Sequence, residues 1–232
     1  MDIGTRRALL APPSGMACTC NCAPLISNIM KTILSLFDYT GNWSEPYRQA
    51  GYNVIRQDIQ LGQDIFDDTI PAANIDRVEG NKVHGLLAAV PCTDFANSGA
   101  RWWKQKASQA APYDGNNLQF QDRLEYFTSM VAAVLLLVEW LEPTWWAIEN
   151  PRGRIRKLVP EIGPPRLVFQ PWQYGDPYMK ETWLYGQFNP NLPQNPVLPL
   201  YGSKMHRMSS TWKNERSETP RGFARAFFLA NP

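Results

Sequence analysis

Apolar residues in this chain gather in short runs separated by stretches with helical spacing. Thr32 to Phe37, Asn53 to Gln57, Val83 to Val90 and Trp145 to Glu149 read as strands, and the near-continuous apolar runs among them fit strands covered on both faces. Helices are expected from about Ser44 to Ala50 and from about Leu118 to Leu141. Strands separated by helices in this order predict an α/β fold with a mostly parallel central sheet. Beyond Pro160 prolines and aromatics become dense. There Arg166 to Gln170 and Thr182 to Tyr185 are expected as antiparallel additions, and Asn189 to Pro199 reads as a proline-rich loop. Residues 1–29, rich in Pro, Ala, Ser and Cys, read as a poorly ordered arm, with the folded pattern starting at Met30.

With 232 residues and 44% hydrophobic content, residues 30–232 suffice for one full-core domain and are cramped for two. The net charge of +2 hides an asymmetry. Residues 1–150 carry 11 Lys and Arg against 16 Asp and Glu, whereas residues 151–232 carry 12 against 5. The basic C-terminal third suits a phosphate-facing surface, and equally a solvated face with no polyanion partner. Cys18, Cys20 and Cys22 cluster in the arm, so no spaced disulfide framework exists, and a reducing cytoplasm is expected. Their alternating spacing does not match the usual metal-ligand gap, so no metal is expected. The stretch Ala8 to Pro13 is too short for a signal peptide, and Val131 to Val138 too short to span a bilayer.

The chemistry concentrates at the ends of two strands. Pro91-Cys92-Thr93-Asp94-Phe95 follows the run Leu86 to Val90, and Glu149-Asn150-Pro151 follows Trp145 to Ile148. A cysteine in a turn just past a strand is poised as a nucleophile. Cysteine is also among the most often buried residues, so by type alone Cys92 is more often a small core residue. Glu149, a charge directly behind an apolar strand, needs a partner or a task. Asp58 ends the second expected strand where it can accept ribose hydroxyls, and Asp64 follows as a further acid that can meet an adenine amino group. Both residues can equally cap helices. Gly41 permits close backbone approach in the turn after the first strand.

In order along the chain, from about Ile33 to Ala226, these pieces resemble the DNA cytosine-5 methyltransferases. The family's D-L-F-x-G-x-G-G motif is similar to Ser35-Leu36-Phe37-Asp38-Tyr39-Thr40-Gly41-Asn42, and its P-C-Q-x-F-S to Pro91-Cys92-Thr93-Asp94-Phe95-Ala96. E-N-V resembles Glu149-Asn150-Pro151. F-G-x-P-Q-x-R-x-R resembles Tyr174-Gly175-Asp176-Pro177-Tyr178-Met179-Lys180-Glu181-Thr182, with Lys180 and Thr182 standing for the two arginines. The stretch Arg216 to Arg225 is similar to the family's R-x-L-T-P-R-E-x-A-R-L helix.

The resemblance implies a Rossmann-like, S-adenosylmethionine-dependent methyltransferase acting on DNA. It places Phe37, Asp38, Tyr39, Gly41, Asp58, Ile59, Asp64, Ile65 and Pro91 at the cofactor. Cys92, Glu149 and Lys180 become catalytic, and Phe95, Arg101, Trp102, Asn150 and Thr182 face the flipped base. Asn97 to Asn117 occupies the position of the family's mobile loop, and an ordinary surface loop is the alternative. Only about residues 185–215 fill the interval of the recognition region, which implies short or relaxed specificity, as would suit a bacteriophage enzyme, and a monomer is expected. Two other functions remain open: C5 modification of a free pyrimidine nucleotide, and a catalytically silent nucleic-acid-binding relative.

Overall fold

The computed structural model describes residues 30–66, 83–111, 120–203 and 217–232. The expected arm over residues 1–29, with its three cysteines, lies outside the described residues, as do 112–119 and the 204–216 part of the recognition interval.

Six strands form one sheet in the order β2-β1-β3-β4-β6-β5. They are β1 (Thr32–Leu36), β2 (Asn53–Gln57), β3 (Val83–Ala88), β4 (Trp145–Pro151), β5 (Leu167–Phe169) and β6 (Thr182–Gln187). β2, β1, β3 and β4 are parallel, and β6 runs against both of its neighbours, β4 and β5. β5 and β6 are thus the expected antiparallel additions, and β5 points the same way as β1 to β4. Strand ends also differ from the sequence reading: β3 stops at Ala88, β5 is trimmed to Leu167–Phe169 and β6 runs on to Gln187. β1 stops at Leu36 because Phe37 turns into the left-handed region at φ 57°. β4 runs on to Pro151 because β6 pairs with it as far as Pro151 opposite Thr182.

Helices cover both faces. α3 (Arg123–Leu141) lays Tyr126, Phe127, Met130, Val131 and Val134 over Leu34, Leu36, Leu86, Ala88 and Ile148 of the sheet. It begins at Arg123 rather than near Leu118 because the Asp122 carboxylate accepts the Glu125 N–H at 2.9 Å and so caps the helix. Judged over its whole 19 residues, α3 is long and apolar enough to cross a membrane, unlike the short run read from the sequence. Its buried side chains instead pack on the sheet. The opposite face holds α1 (Glu45–Gln49) and α5 (Arg221–Ala230), whose Tyr47, Phe223 and Phe227 join Trp43 over Ile33, Leu87, Trp145, Ala147 and Leu184. α5 buries Phe223, Ala224, Ala226 and Phe227 while Arg221 and Arg225 stay exposed, the spacing of a helix with one apolar face. Neighbouring side chains on β1, Ile33 and Leu34, thus enter opposite cores, which is why the run carries no alternation.

Between β3 and α3, where a loop was expected, the chain forms a 3-10 turn over Asn97–Trp102 and then α2 (Trp103–Ala107). A last short helix, α4 (Ile155–Leu158), follows β4.

Candidate active site

The chain leaves β1 for β2 on one side and crosses to β3 on the other, so the switch in strand order falls between β1 and β3, where open α/β sheets bind ligands. A cleft opens there at the carboxyl ends of the strands. It is lined by Leu36 and Phe37 at the end of β1, Gln57 to Gln60 at the end of β2 with Gln63 to Ile65 beyond it, Pro91 after β3, and Met130 of α3. Of the nine residues expected at a cofactor, Phe37, Asp58, Ile59, Asp64, Ile65 and Pro91 line this cleft. Phe37 is held in its unusual conformation by its N–H, which donates to the Gln57 carbonyl at 2.7 Å. Asp58 Oδ1 accepts the Gln60 N–H at 2.8 Å, and burial lifts its carboxyl above the ordinary aspartate range. Asp64 Oδ1 accepts the Phe66 N–H at 3.1 Å. Gln57 donates its amide to the Asp64 carbonyl at 2.6 Å, while its Oε1 is buried without a hydrogen bond. Sequence reading missed Gln57, since nothing in its local pattern marks it as more than a strand end.

The other three expected cofactor residues lie elsewhere. Asp38 turns inward, its carboxylate accepting from the hydroxyls of Ser35 and Ser44 at 2.8 Å each, so it staples its own turn. Tyr39 is exposed, and its carbonyl accepts from Arg56 at 3.2 Å. Gly41 adopts φ 73° close to the Arg56 guanidinium.

Past β3, Cys92 sits half-buried at the start of a tight turn, its carbonyl accepting the N–H groups of Phe95 and Ala96 at 3.0 and 2.9 Å. Ala88 pairs with Ile148, so Glu149 follows on the adjacent strand. Glu149 is buried, and Lys180 reaches it from the segment before β6 with Nζ 3.6 Å from Oε1, both side chains being 7% exposed. Tyr178 lies close by. Burial, and then the negative charges of Asp176, Glu149 and Glu218, push its phenol well above the ordinary tyrosine range. Asn150 donates to the Val90 carbonyl at 3.0 Å and so ties β4 to the segment leading into Cys92.

Phe95 and Thr182, expected against a substrate, are core residues. Phe95 is fully buried beside Phe127, and the Thr182 hydroxyl donates to the Lys180 carbonyl at 2.9 Å. Asn150 is likewise fully buried and acts on the backbone. Arg101 and Trp102 are exposed, with the guanidinium 5.1 Å from the indole centroid.

The Cys92 turn has a second layer that sequence reading missed. Asp94, 2% exposed, is gripped by Arg123 at 2.9 Å and approached by Lys106 at 3.9 Å. Arg154 donates through Nε to the Asp94 carbonyl at 2.9 Å and through its backbone N–H to the Phe95 carbonyl at 2.8 Å. The only signals in the sequence were an acid two residues past the cysteine and Arg152-Gly153-Arg154 after the Glu149 strand. Among the described residues no group of His, Cys, Asp and Glu is arranged to hold a metal ion.

Strand order, helices on both faces and a ligand cleft at the switch point agree. The chain has an α/β Rossmann-like fold with a mostly parallel central sheet.

Three solved structures are similar to it. A DNA modification methyltransferase encoded within a prophage (E. coli) is 14% identical with a TM-score of 0.43, over 68% of this chain and 46% of that one. The Entamoeba histolytica methyltransferase EhMeth is 12% identical with a TM-score of 0.42, over 72% and 57%. A mutant DNMT2 of Spodoptera frugiperda is 14% identical with a TM-score of 0.38, over 72% and 53%. The chain spans about half the length of these structures. No protein-family model and no curated protein matches it.

Proposed function

We propose that the chain methylates C5 of cytosine in DNA, with Cys92 as nucleophile and Glu149 as the acid. The observation that carries this reading is the pairing, on adjacent strand ends, of a half-buried cysteine turn with a buried Glu149–Lys180 pair, next to a cleft bearing two acids.

The cleft suits the nucleoside of S-adenosylmethionine. Phe37, Ile59, Ile65 and Pro91 offer apolar contact, Asp58 and Asp64 accept from hydroxyl and amino groups, and the buried Gln57 Oε1 supplies a further acceptor. Asp38, Tyr39 and Gly41 would shape the turn beneath it. When bound, S-adenosylmethionine supplies the electrophilic methyl group that C5 takes up.

The chain's own residues do the remainder. The Cys92 thiolate adds to C6, forming a C–S bond as the C5–C6 double bond opens, while Glu149, having taken up a proton from solvent as the base binds, delivers it to N3, so the ring electrons reach C5 without a full charge on the ring. Before the base binds, Lys180 is the counter-ion that holds the Glu149 carboxylate in place. Loss of the C5 proton to solvent re-forms the C5–C6 double bond and expels the Cys92 sulfur from C6 as thiolate, and the N3 proton returns to Glu149, which restores the aromatic ring. A base within a duplex must leave the stack to reach the Cys92 turn, and the exposed Arg101 and Trp102 would meet phosphate and base. The basic C-terminal third favours DNA over a free nucleotide, and a short recognition interval favours low specificity. Such an enzyme would work as a monomer in the cytoplasm of a bacterial or phage-infected cell.

The test is a trap. Duplex DNA carrying 5-fluorocytosine has no C5 proton to lose, so with cofactor the chain should form a denaturation-resistant adduct mapping to the Cys92 peptide. Cys92→Ala should form none, and Glu149→Gln should form it slowly. Absence of the adduct although cofactor binds refutes cytosine-5 chemistry. Equal turnover of a free cytidylate redirects the reading to a nucleotide substrate.

A further inference from the structure

Asp94 does more than fill the core. Arg123, the first residue of α3, donates to it through Nε at 3.1 and 3.2 Å and through Nη2 at 2.9 Å, so both carboxylate oxygens are occupied and free of any chemical task. Lys106 of α2 sits 3.9 Å from Oδ1 and donates to the Thr93 carbonyl at 2.8 Å. Arg154 holds the Asp94 and Phe95 carbonyls and stacks on Trp103, its guanidinium 4.4 Å from the ring centroid. The crown of the turn, Thr93 and Asp94, is thus fastened to α2, to α3 and to the segment after β4. The turn's own backbone bonds all end on the Cys92 carbonyl and do not fix its crown. Burying a charged pair is a poor route to stability compared with apolar packing, whereas it does fix geometry.

We propose that Asp94 is a positioning residue. It sets the placement of the Cys92 turn and links that turn, through Lys106, to the Asn97–Ala107 stretch that carries the exposed Arg101 and Trp102. Contact of that stretch with DNA and correct placement of the sulfur then become one event. The proposal rests on the reading of Cys92 as nucleophile.

The full-length chain and its Asp94→Asn, Asp94→Glu and Lys106→Gln variants are compared in two assays. In single-turnover reactions on 5-fluorocytosine DNA, Asp94→Asn should form the adduct about 10- to 100-fold more slowly, the scale of an ångström-sized misplacement. DNA affinity should stay within about twofold of wild type, the split expected of a group that acts on the reacting geometry. Asp94→Glu should recover part of the rate. Lys106→Gln, which leaves the Arg123 pair intact, should slow the reaction less, and it carries the test if Asp94→Asn does not fold. In the second assay, without DNA, alkylation of Cys92 by iodoacetamide is followed by peptide mass and should change severalfold in Asp94→Asn. Wild-type adduct rates in the folded variants overturn the proposal. If the wild-type chain forms no adduct the nucleophile reading falls, and unchanged alkylation then removes the positioning role as well.

Discussion

Replacing Gly153 by alanine adds one methyl group where the segment after β4 crosses the Cys92 turn. The new Cβ would lie 1.9 Å from the Phe95 carbonyl oxygen, 2.7 Å from the Phe95 carbonyl carbon and 3.0 Å from the Ala96 Cα. All three are backbone atoms, so no side chain can swing aside. Relief to 3.0 Å from the oxygen requires the two segments to part by about 1.1 Å. That movement stretches the bonds that join them, Arg154 N–H to the Phe95 carbonyl at 2.8 Å and Asn97 N–H to the Arg152 carbonyl at 3.0 Å, past useful length. Overpacking costs about 1–3 kcal/mol, with about 1 kcal/mol more for each hydrogen bond lost. On the proposed chemistry the effect on rate should be larger, because an ångström at Cys92 would cost about 100-fold. Thermal unfolding should therefore show a moderate loss of stability, calorimetry an intact cofactor site, and adduct formation on 5-fluorocytosine DNA a fall of about two orders of magnitude. A folded Gly153→Ala chain with a wild-type adduct rate would refute the idea that this crossing sets the place of Cys92.

Lys180→Met leaves Glu149 charged and unpaired in a buried position and should destabilise the chain by about 3–5 kcal/mol in urea denaturation. Lys180→Arg should be tolerated, and equal stability of Lys180→Met and wild type would mean that the pair contributes no charge compensation. At Phe37, whose φ is 57°, Phe37→Gly should be more stable than Phe37→Ala by about 1–2 kcal/mol, because alanine keeps the left-handed strain; a reversed order counts against that conformation. Burial raises the Asp58 carboxyl, so the folded chain holds that proton more tightly than the unfolded one. This favourable contribution is complete below the unfolded pKa and is lost as pH rises through the folded value. Asp58→Asn should therefore melt higher than wild type at pH 7, with the gap closing in acid, while cofactor affinity falls. Equal melting at both pH values contradicts the burial of Asp58.

The local chemistry of the chain determined its elements. Continuous apolar runs at Thr32 and Val83 fitted strands buried on both faces, and the helical spacing before Leu141 marked the long helix. Cys92, Glu149, Asp58 and Asp64 could be singled out because strand ends aim side chains at one edge of a parallel sheet, a rule that needs only element order. The place of β5 at the sheet edge, beyond β6, was not legible, since a three-residue strand carries no mark of its partner. Nor was the fate of Asp38, which the local motif placed at a ligand but which Ser35 and Ser44 draw into their own turn. Only tertiary structure decided that Lys180 meets Glu149, thirty-one positions earlier, and that Arg123, Lys106 and Arg154 converge on Asp94. Such pairings depend on which strand ends and helix starts the sheet brings side by side, and a cation's place in the sequence does not reveal which carboxylate it will face.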